Sequence, residues 1–176
     1  SEVFDLWYPH DTRRVSIRHF DSVLEFLALG RYNVCTMGGS CSGHLVIEHN
    51  GTIYPCDFFV EPEWELGNVH DRPDAIAHAE RSPLVRKFAG RKAKWNQKCN
   101  SCPWLQLCSG DCVKYRPQPT GANSLSYLCD GWQTFYEATY QRFTTIADRL
   151  AMRRFGRRPA YQVLPGFERE RRCFCG

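Results

Sequence analysis

The chain carries the stretch Cys99-Asn-Ser-Cys102-Pro-Trp-Leu-Gln-Leu-Cys108-Ser-Gly-Asp-Cys112, which places four cysteines at spacings C-x2-C-x5-C-x3-C. A C-x2-C pair in a tight turn directs two thiolates at one metal centre, and short links bring two further thiolates within reach. Zinc and iron–sulfur clusters both accept four thiolates, so this run predicts a metal site without naming the metal. The alternatives, a disulfide framework or inert reduced cysteines, fit this clustered spacing less well.

Three further cysteines lie upstream. Cys35 and Cys41 bound a glycine-rich loop, Cys35-Thr-Met-Gly-Gly-Ser-Cys41. Apolar runs flank Asn50-Gly51, a pattern that predicts a β-hairpin with a type I′ turn. The outgoing strand would return Cys56 to the Cys35–Cys41 loop, so we expect these three cysteines to converge on one site.

The N-terminal region has a mixed pattern. Alternating apolar residues over 15–20 predict a short strand or an extended arm. Ser22 followed by Glu25 is typical of a capping box, and it predicts a helix that opens there and stops at Gly30.

Helices are also predicted further along the chain. One is expected near 74–80, and another from Ser82 to Gly90 with Pro83 in its first turn. The basic link 91–94 is predicted to be solvated. A long amphipathic helix is predicted over 131–150, and its face is expected to be core rather than a cofactor site. That face comprises Trp132, Phe135, Tyr136, Tyr140, Phe143, Ile146, Ala147 and Leu150.

The predicted fold class is α+β and loop-rich. A small β-hairpin and short helices would surround two metal-cluster sites, with the long amphipathic helix at the C-terminal end. The domain prediction is a cluster domain over 1–150, including an N-terminal linker region 1–34, and an Arg-rich tail over 151–176. A length of 176 residues with 43% hydrophobic content is consistent with one such domain.

Charge is concentrated at the C-terminal end. Residues 149–176 contain eight arginines against Glu168 and Glu170, whereas the whole chain carries a formal charge of +4. A basic tail could contact nucleic acid, but no basic and aromatic recognition helix is evident elsewhere. We therefore expect a solvated terminus and no nucleic-acid partner.

The beginning of the chain and its hydropathy indicate a compartment. No export signal opens the chain, and no apolar run reaches the length of a membrane span. We therefore expect a cytoplasmic protein without a membrane partner, whose reduced thiols favour metal binding over disulfides. Because the first residue is Ser rather than Met, we also expect a piece of a longer protein.

The cysteine count suggests two sites. With Cys173 and Cys175 left unassigned, eight cysteines remain, enough for two tetra-thiolate sites. Proximity in sequence alone would group Cys99, Cys102, Cys108 and Cys112 in one site. Spacing does not determine which cysteines share a site. The eight are Cys35, Cys41, Cys56, Cys99, Cys102, Cys108, Cys112 and Cys129.

The order of these cysteines resembles the SPASM domain of radical S-adenosylmethionine enzymes. It reads C-x5-C, Asn-Gly-x3-Pro-Cys, C-x2-C-x5-C-x3-C and then a late cysteine. The phrases Gly51-Thr-Ile-Tyr-Pro-Cys-Asp-Phe-Phe-Val60, Leu66-Gly-Asn68 and Cys102-Pro-Trp-Leu-Gln-Leu-Cys108-Ser-Gly-Asp-Cys112 are similar to the anaerobic sulfatase-maturating enzymes. The resemblance spans about residues 1–150.

The resemblance implies two 4Fe-4S clusters with interleaved ligands. The first cluster would be bound by Cys35, Cys41, Cys56 and Cys112. The second would be bound by Cys99, Cys102, Cys108 and Cys129. Zinc could occupy these thiolates as a substitute after aerobic purification.

The chain lacks the C-x3-C-x2-C motif that binds the S-adenosylmethionine-cleaving cluster in this family. After Cys108 and Cys112, Tyr115 stands where the third cysteine would be required. The resemblance therefore implies the C-terminal half of an oxidoreductase, inactive as an isolated fragment. S-adenosylmethionine would bind only in a missing N-terminal radical domain. The other implied partners are a sulfatase polypeptide and an external electron donor.

The implied reaction oxidises a sulfatase cysteine or serine to formylglycine. Asp57 directly follows Cys56 and matches the position of the family's proposed base, although a turn aspartate is equally common at such a place. Two alternatives stay open. One is a SPASM domain from another peptide-modifying radical enzyme, and the other is a structural zinc-binding module.

Overall fold

The computed structural model describes residues 2–116 and 124–156 of the chain. Within these ranges helices predominate, and the one sheet has two antiparallel strands, β1 and β2. This arrangement confirms the predicted α+β, loop-rich fold class. The elements are α1 (Glu2–His10), α2 (Arg18–Leu29), β1 (Val46–Ile47), β2 (Ile53–Tyr54), α3 (Ala75–Glu80), α4 (Pro83–Gly90), α5 (Gln97–Asn100), α6 (Leu105–Cys108) and α7 (Cys129–Phe155), with 3₁₀ turns at Cys35–Met37, Pro62–Trp64 and Val113–Tyr115.

Helices α1, α2 and α7 pack around an aromatic core. Phe20, Val23 and Leu27 recur at helical spacing along α2, and all three are buried. The Phe4 ring of α1 lies 4.5 Å, centroid to centroid, from the Phe143 ring of α7. Burial of these side chains is the main stabilisation of the N-terminal half of the domain.

The long C-terminal helix is confirmed, and it extends beyond the predicted bounds at both ends. Its buried face is formed by Tyr136, Thr139, Tyr140, Phe143, Ala147 and Ala151. The prediction for Leu150 is wrong, because this side chain is 43% exposed. The buried stripe steps by three or four residues and reaches Ala151 instead, which is 2% exposed.

The strand predicted over 15–20 is wrong. Helix α2 already begins at Arg18, so Ser22 lies inside the helix rather than at its cap. The Ser22 hydroxyl instead accepts a hydrogen bond from the backbone N–H of Asn33 at 3.2 Å. The predicted stop is confirmed: Gly30 has φ +70° and its N–H donates to the carbonyl of Phe26.

The β-hairpin is confirmed, but its turn is not type I′. Val46 pairs with Tyr54 and Ile47 with Ile53. The N–H of Gly51 donates to the carbonyl of Glu48, and Gly51 has φ +85°, whereas Asn50 is not among the described residues with positive φ. A type I′ turn needs positive φ at both central residues, so this loop is a three-residue turn with a glycine bulge.

The two predicted middle helices are confirmed as α3 and α4. The Ser82 hydroxyl accepts a hydrogen bond from the N–H of Leu84 at 3.1 Å, and Pro83 occupies the first turn of α4.

The cysteine-rich stretch is anchored to the helical core by two apolar side chains. Trp104 is 2% exposed and Leu107 is fully buried, both within the core of α1, α2 and α7. The Trp104 ring lies 5.4 Å from that of Tyr140. No helix in the described part of the chain has the length and apolar character needed to cross a membrane.

Candidate metal centre

Four cysteines line one cavity beside α7, and we call them the second thiol set: Cys99, Cys102, Cys108 and Cys129. Two short helices and the start of the long helix position three of them, because Cys99 lies in α5, Cys108 ends α6 and Cys129 begins α7. The cavity has a volume of about 440 Å³, including its open mouth. In the described ranges, no three Cys, His, Asp or Glu side chains are grouped closely enough to hold a single metal ion. The four sulfurs therefore surround a cavity and do not converge on the position of a single ion.

We call the other four cysteines of the described residues the first thiol set: Cys35, Cys41, Cys56 and Cys112. Cys41 and Cys56 pack against a small apolar cluster that includes Val113, the residue after Cys112. Burial raises the pKa of Cys41, and the charges of Cys112 and Cys35 raise it further. These couplings are consistent with a common site for the first set.

Among the described residues, the effect of one thiol's charge on the pKa of another is seen within each set and not between the two sets. Burial raises the pKa of Cys108 to about 12, with further upward contributions from the charges of Asp111, Cys129 and Cys99. Burial likewise raises the pKa of Cys129, and the charges of Cys99 and Cys102 add to it. In the first set, burial raises the pKa of Cys56 to about 11, and the charge of Cys112 contributes.

Because burial raises the pKa of these thiols, forming thiolates in either set requires a compensating positive charge. A buried thiolate beside other thiolates is unfavourable unless a positive centre compensates its charge. A metal centre supplies that charge and displaces the protons on binding.

A sharp bend separates the two sets between Cys108 and Cys112. The three intervening residues, Ser109, Gly110 and Asp111, all have positive φ, at 48°, 68° and 64°. A left-handed run of this kind reverses the chain within one turn. Cys108 therefore faces the cavity of the second set, whereas Cys112 lies with the first.

The Asp111 carboxylate holds this bend closed. It is 1% exposed, and its Oδ1 accepts the backbone N–H of Cys112 at 2.7 Å. Its Oδ2 accepts the hydroxyl of Ser126 at 2.7 Å. Both oxygens are satisfied, which is the condition for burying a carboxylate.

Arg116 binds the other side of the bend. Its side chain is buried, and it donates hydrogen bonds to the carbonyls of Ser109, Gly110 and Asp111. It also donates to the carbonyls of Lys92 and Lys94 at 3.2 and 3.1 Å. A Cβ at Gly110 would lie 2.7 Å from the Arg116 guanidinium, so this position requires glycine for space as well as for φ.

Lys92 is a second buried cation. The prediction that 91–94 is solvated is wrong here, because Lys92 is 1% exposed. Its Nζ donates to the carbonyls of Cys35 and Thr36 at 3.0 and 2.6 Å. Its charge acts to lower the pKa of Cys41 and Cys112. Sequence reasoning missed the roles of Lys92, Arg116 and Asp111. No motif marks Lys92 or Arg116, whereas Asp111 lies inside the Cys108–Cys112 stretch.

Asp57 lies at the outer edge of the first set. It is exposed, and its Oδ1 accepts a hydrogen bond from the Cys56 thiol at 3.5 Å. The neighbouring Phe58 side chain is 46% exposed. Cys173 and Cys175 lie outside the described residues.

Four buried side-chain nitrogens have no hydrogen-bond partner in the described part of the chain, and all four are donors: Trp64 Nε1, Arg91 NH1, Trp95 Nε1 and Trp132 Nε1. Trp64 belongs to the apolar cluster that holds Cys41 and Cys56, and the Arg91 guanidinium stacks on it at 4.9 Å. Trp132 lines the cavity of the second set. A buried donor without an acceptor is costly, so both sets suit an occupant rich in acceptors.

Comparison with known proteins agrees with this chemistry. Residues 35–103 match the model of the SPASM family, described as an iron-sulfur cluster-binding domain. The cysteine-type anaerobic sulfatase-maturating enzyme of Clostridium perfringens strain 13 is 34% identical over 151 residues, 84% of this chain. The serine-type enzyme of Bacteroides thetaiotaomicron is 35% identical over 147 residues, 80% of this chain.

A solved structure shows the same fold. Native anSMEcpe with bound AdoMet and Cp18Cys peptide superposes with a TM-score of 0.77 at 34% identity, covering 85% of this chain and 42% of the other. The chain spans 40% and 35% of the length of the two curated relatives. Residues 35–103 are therefore similar to the SPASM family of iron-sulfur cluster-binding domains, and the chain is similar in sequence and fold to part of the anaerobic sulfatase-maturating enzymes.

Proposed function

We propose that the chain holds two 4Fe-4S clusters, one on each thiol set. The observation that carries this proposal is the cavity lined by Cys99, Cys102, Cys108 and Cys129. The electrostatic coupling of Cys41 to Cys112 and Cys35 supports a second group of thiols. A 4Fe-4S cluster ligated by four thiolates offers sulfurs that accept hydrogen bonds from N–H donors. Four thiols spread around one cavity, with no three acidic, histidine or cysteine side chains of the described residues grouped to hold a single ion, favour a multi-atom cluster over the tight tetrahedron of one zinc ion.

The proposed role of the domain is that of auxiliary-cluster domain in a radical S-adenosylmethionine sulfatase maturase. The similarity to both cysteine-type and serine-type enzymes supports this role. The rest of the enzyme would be an N-terminal radical domain that binds S-adenosylmethionine. A sulfatase polypeptide would be the substrate, with an external electron donor as partner. Eight thiols that must stay reduced favour the cytoplasm.

Conversion of a cysteine or serine side chain to formylglycine removes hydrogen from its Cβ. Once the radical domain has taken one hydrogen atom, the substrate must lose one proton and one electron. A serine then gives the aldehyde directly, whereas a cysteine gives a thioaldehyde that water hydrolyses with release of hydrogen sulfide. The bound clusters would supply the electron acceptor. Asp57 would take the proton, because it is the exposed carboxylate next to Cys56 and can reach a substrate from outside.

The direct test is iron, zinc and acid-labile sulfide analysis of the anaerobically purified and reconstituted chain. The expected result is about eight iron and about eight sulfide per chain, with a broad absorption shoulder. About two zinc without sulfide after reconstitution would refute the proposal and support a structural zinc module.

A further inference from the structure

The start of α7 places two side chains that carry N–H donors at the cavity of the second thiol set. Trp132 and Gln133 follow Cys129 by three and four residues, so all three lie on one face of the helix. Both side chains line the cavity together with Cys129. The Gln133 Nε2 already donates to the Cys129 sulfur at 3.5 Å.

The Trp132 indole is held in place by its neighbours. Its ring centroid lies 4.8 Å from that of His19 and 5.8 Å from the stacked ring of Tyr136. Its Nε1 is shielded from solvent and has no acceptor among the described residues. An indole nitrogen can only donate, so within the protein matrix it needs an acceptor.

Because the Trp132 side chain lines the cavity, a group held there can supply an acceptor once the indole adjusts to it. The second set contributes sulfurs, and a cluster bound there adds sulfide sulfurs in the same space. Hydrogen bonds to these sulfurs stabilise the reduced, more negative state more than the oxidised state. Each donor therefore raises the reduction potential of the cluster.

We propose that Trp132 and Gln133 set the reduction potential of the second cluster by donating hydrogen bonds to its sulfurs. This inference rests on the proposed function, since it requires a cluster on the second set. It assigns to α7 a redox role in addition to its role in the helical core. The two clusters would then differ in potential, because the first set is compensated differently, by the buried Lys92 ammonium bound to the Cys35 and Thr36 carbonyls.

The test is a redox titration of the anaerobically reconstituted 176-residue chain, followed by electron paramagnetic resonance. Trp132→Phe removes the N–H and keeps an aromatic ring, and Gln133→Leu removes the other donor at similar size. Trp7→Phe is the matched control, because the Trp7 N–H donates to the carbonyl of Val15 at 2.7 Å within the helical core. Iron and sulfide are counted for every variant.

The expected result is a lower midpoint potential for one of the two clusters in Trp132→Phe and in Gln133→Leu, with unchanged iron content. Trp7→Phe should leave both potentials unchanged, even if it lowers the melting temperature. If Trp132→Phe does not retain iron, the midpoint potential of Gln133→Leu becomes the deciding measurement, and it should be lower than that of the parent. Fully loaded variants with both potentials equal to those of the parent would overturn the inference alone. A parent chain that takes up no iron and sulfide would overturn the proposed function, and this inference with it.

Discussion

Gly110 offers a sharp test of how the bend between the two thiol sets is held. Gly110 and Gly30 have nearly equal φ values, +68° and +70°, but different surroundings. A Cβ at Gly110 would lie 2.7 Å from an Arg116 guanidinium nitrogen and 2.9 Å from Cδ1 of Trp95, whereas a Cβ at Gly30 would meet nothing within 4 Å. Alanine at both positions separates backbone strain from crowding.

The magnitudes follow from this difference. A left-handed alanine costs about 1–2 kcal/mol, and this is the whole effect expected for Gly30→Ala. Gly110→Ala adds crowding of a buried guanidinium that makes hydrogen bonds to several carbonyls, about 2 kcal/mol more. For a domain of this size, each kcal/mol lowers the melting temperature by about 2–4 °C. We therefore expect decreases of about 2–8 °C for Gly30→Ala and about 6–16 °C for Gly110→Ala, with the second larger than the first when both are measured on the same chain.

The assay is thermal unfolding of the cluster-loaded chain, monitored by circular dichroism and by bleaching of the cluster absorption. In Gly110→Ala both clusters should be lost at the lowered temperature, because the bend joins the two thiol sets. Equal decreases for the two variants would refute the reasoning. That result would mean that the Arg116 contacts do not hold the bend.

Further predictions address the clusters, the buried lysine, pH and the base. Cys129→Ser should lose about four of the eight iron atoms by iron analysis, whereas complete retention would remove Cys129 from the ligands. Lys92→Met deletes two charge-assisted hydrogen bonds and should lower stability by about 3 kcal/mol, measured as a lower melting temperature, and an unchanged value would contradict the burial argument. Burial lowers the folded-state pKa of His19 below 6.5, so its stabilising effect is present above pH 6.5 and is lost as the pH falls through the folded pKa. His19→Phe should therefore weaken the decrease in melting temperature on acidification, and a pH profile identical to that of the parent would exclude this role. In the intact enzyme, Asp57→Asn should retain both clusters and lose formylglycine formation by peptide mass analysis, whereas an unchanged yield would exclude Asp57 as the base.

Local sequence patterns predicted several elements because their causes are local. Ser82 and Pro83 mark the start of α4, and Gly30 marks the end of α2, since caps act within one turn. The apolar residues spaced three or four positions apart likewise predicted α7. The type I′ turn at Asn50-Gly51 was predicted wrongly because the Asn-Gly pair is compatible with more than one loop length. The position of the pair relative to the strand ends decides between them.

The start of α2 shows where a local sequence pattern fails to predict the structure. The alternation over 15–20 resembles a strand, but Phe20 gains more by packing with Phe4 and Phe143 in the helical core. Tertiary burial thus overrides a weak local pattern. The solvated link predicted over 91–94 is wrong for the same reason. Lys92 is buried because two carbonyls of the Cys35 loop accept its hydrogen bonds.

The sequence by itself determined the chemistry of this protein: eight cysteines at cluster spacing, the hairpin and the long helix, because residue type and spacing along the chain express these directly. Only the tertiary structure decided which thiols meet and what surrounds them. The left-handed bend at 109–111 sends Cys108 and Cys112 to different sets, although only three residues separate them. Lys92 reaches the carbonyl of Cys35, 57 residues away in the chain, and Arg116 reaches the carbonyl of Lys92, 24 residues away. Contacts of that kind depend on packing that no local pattern encodes.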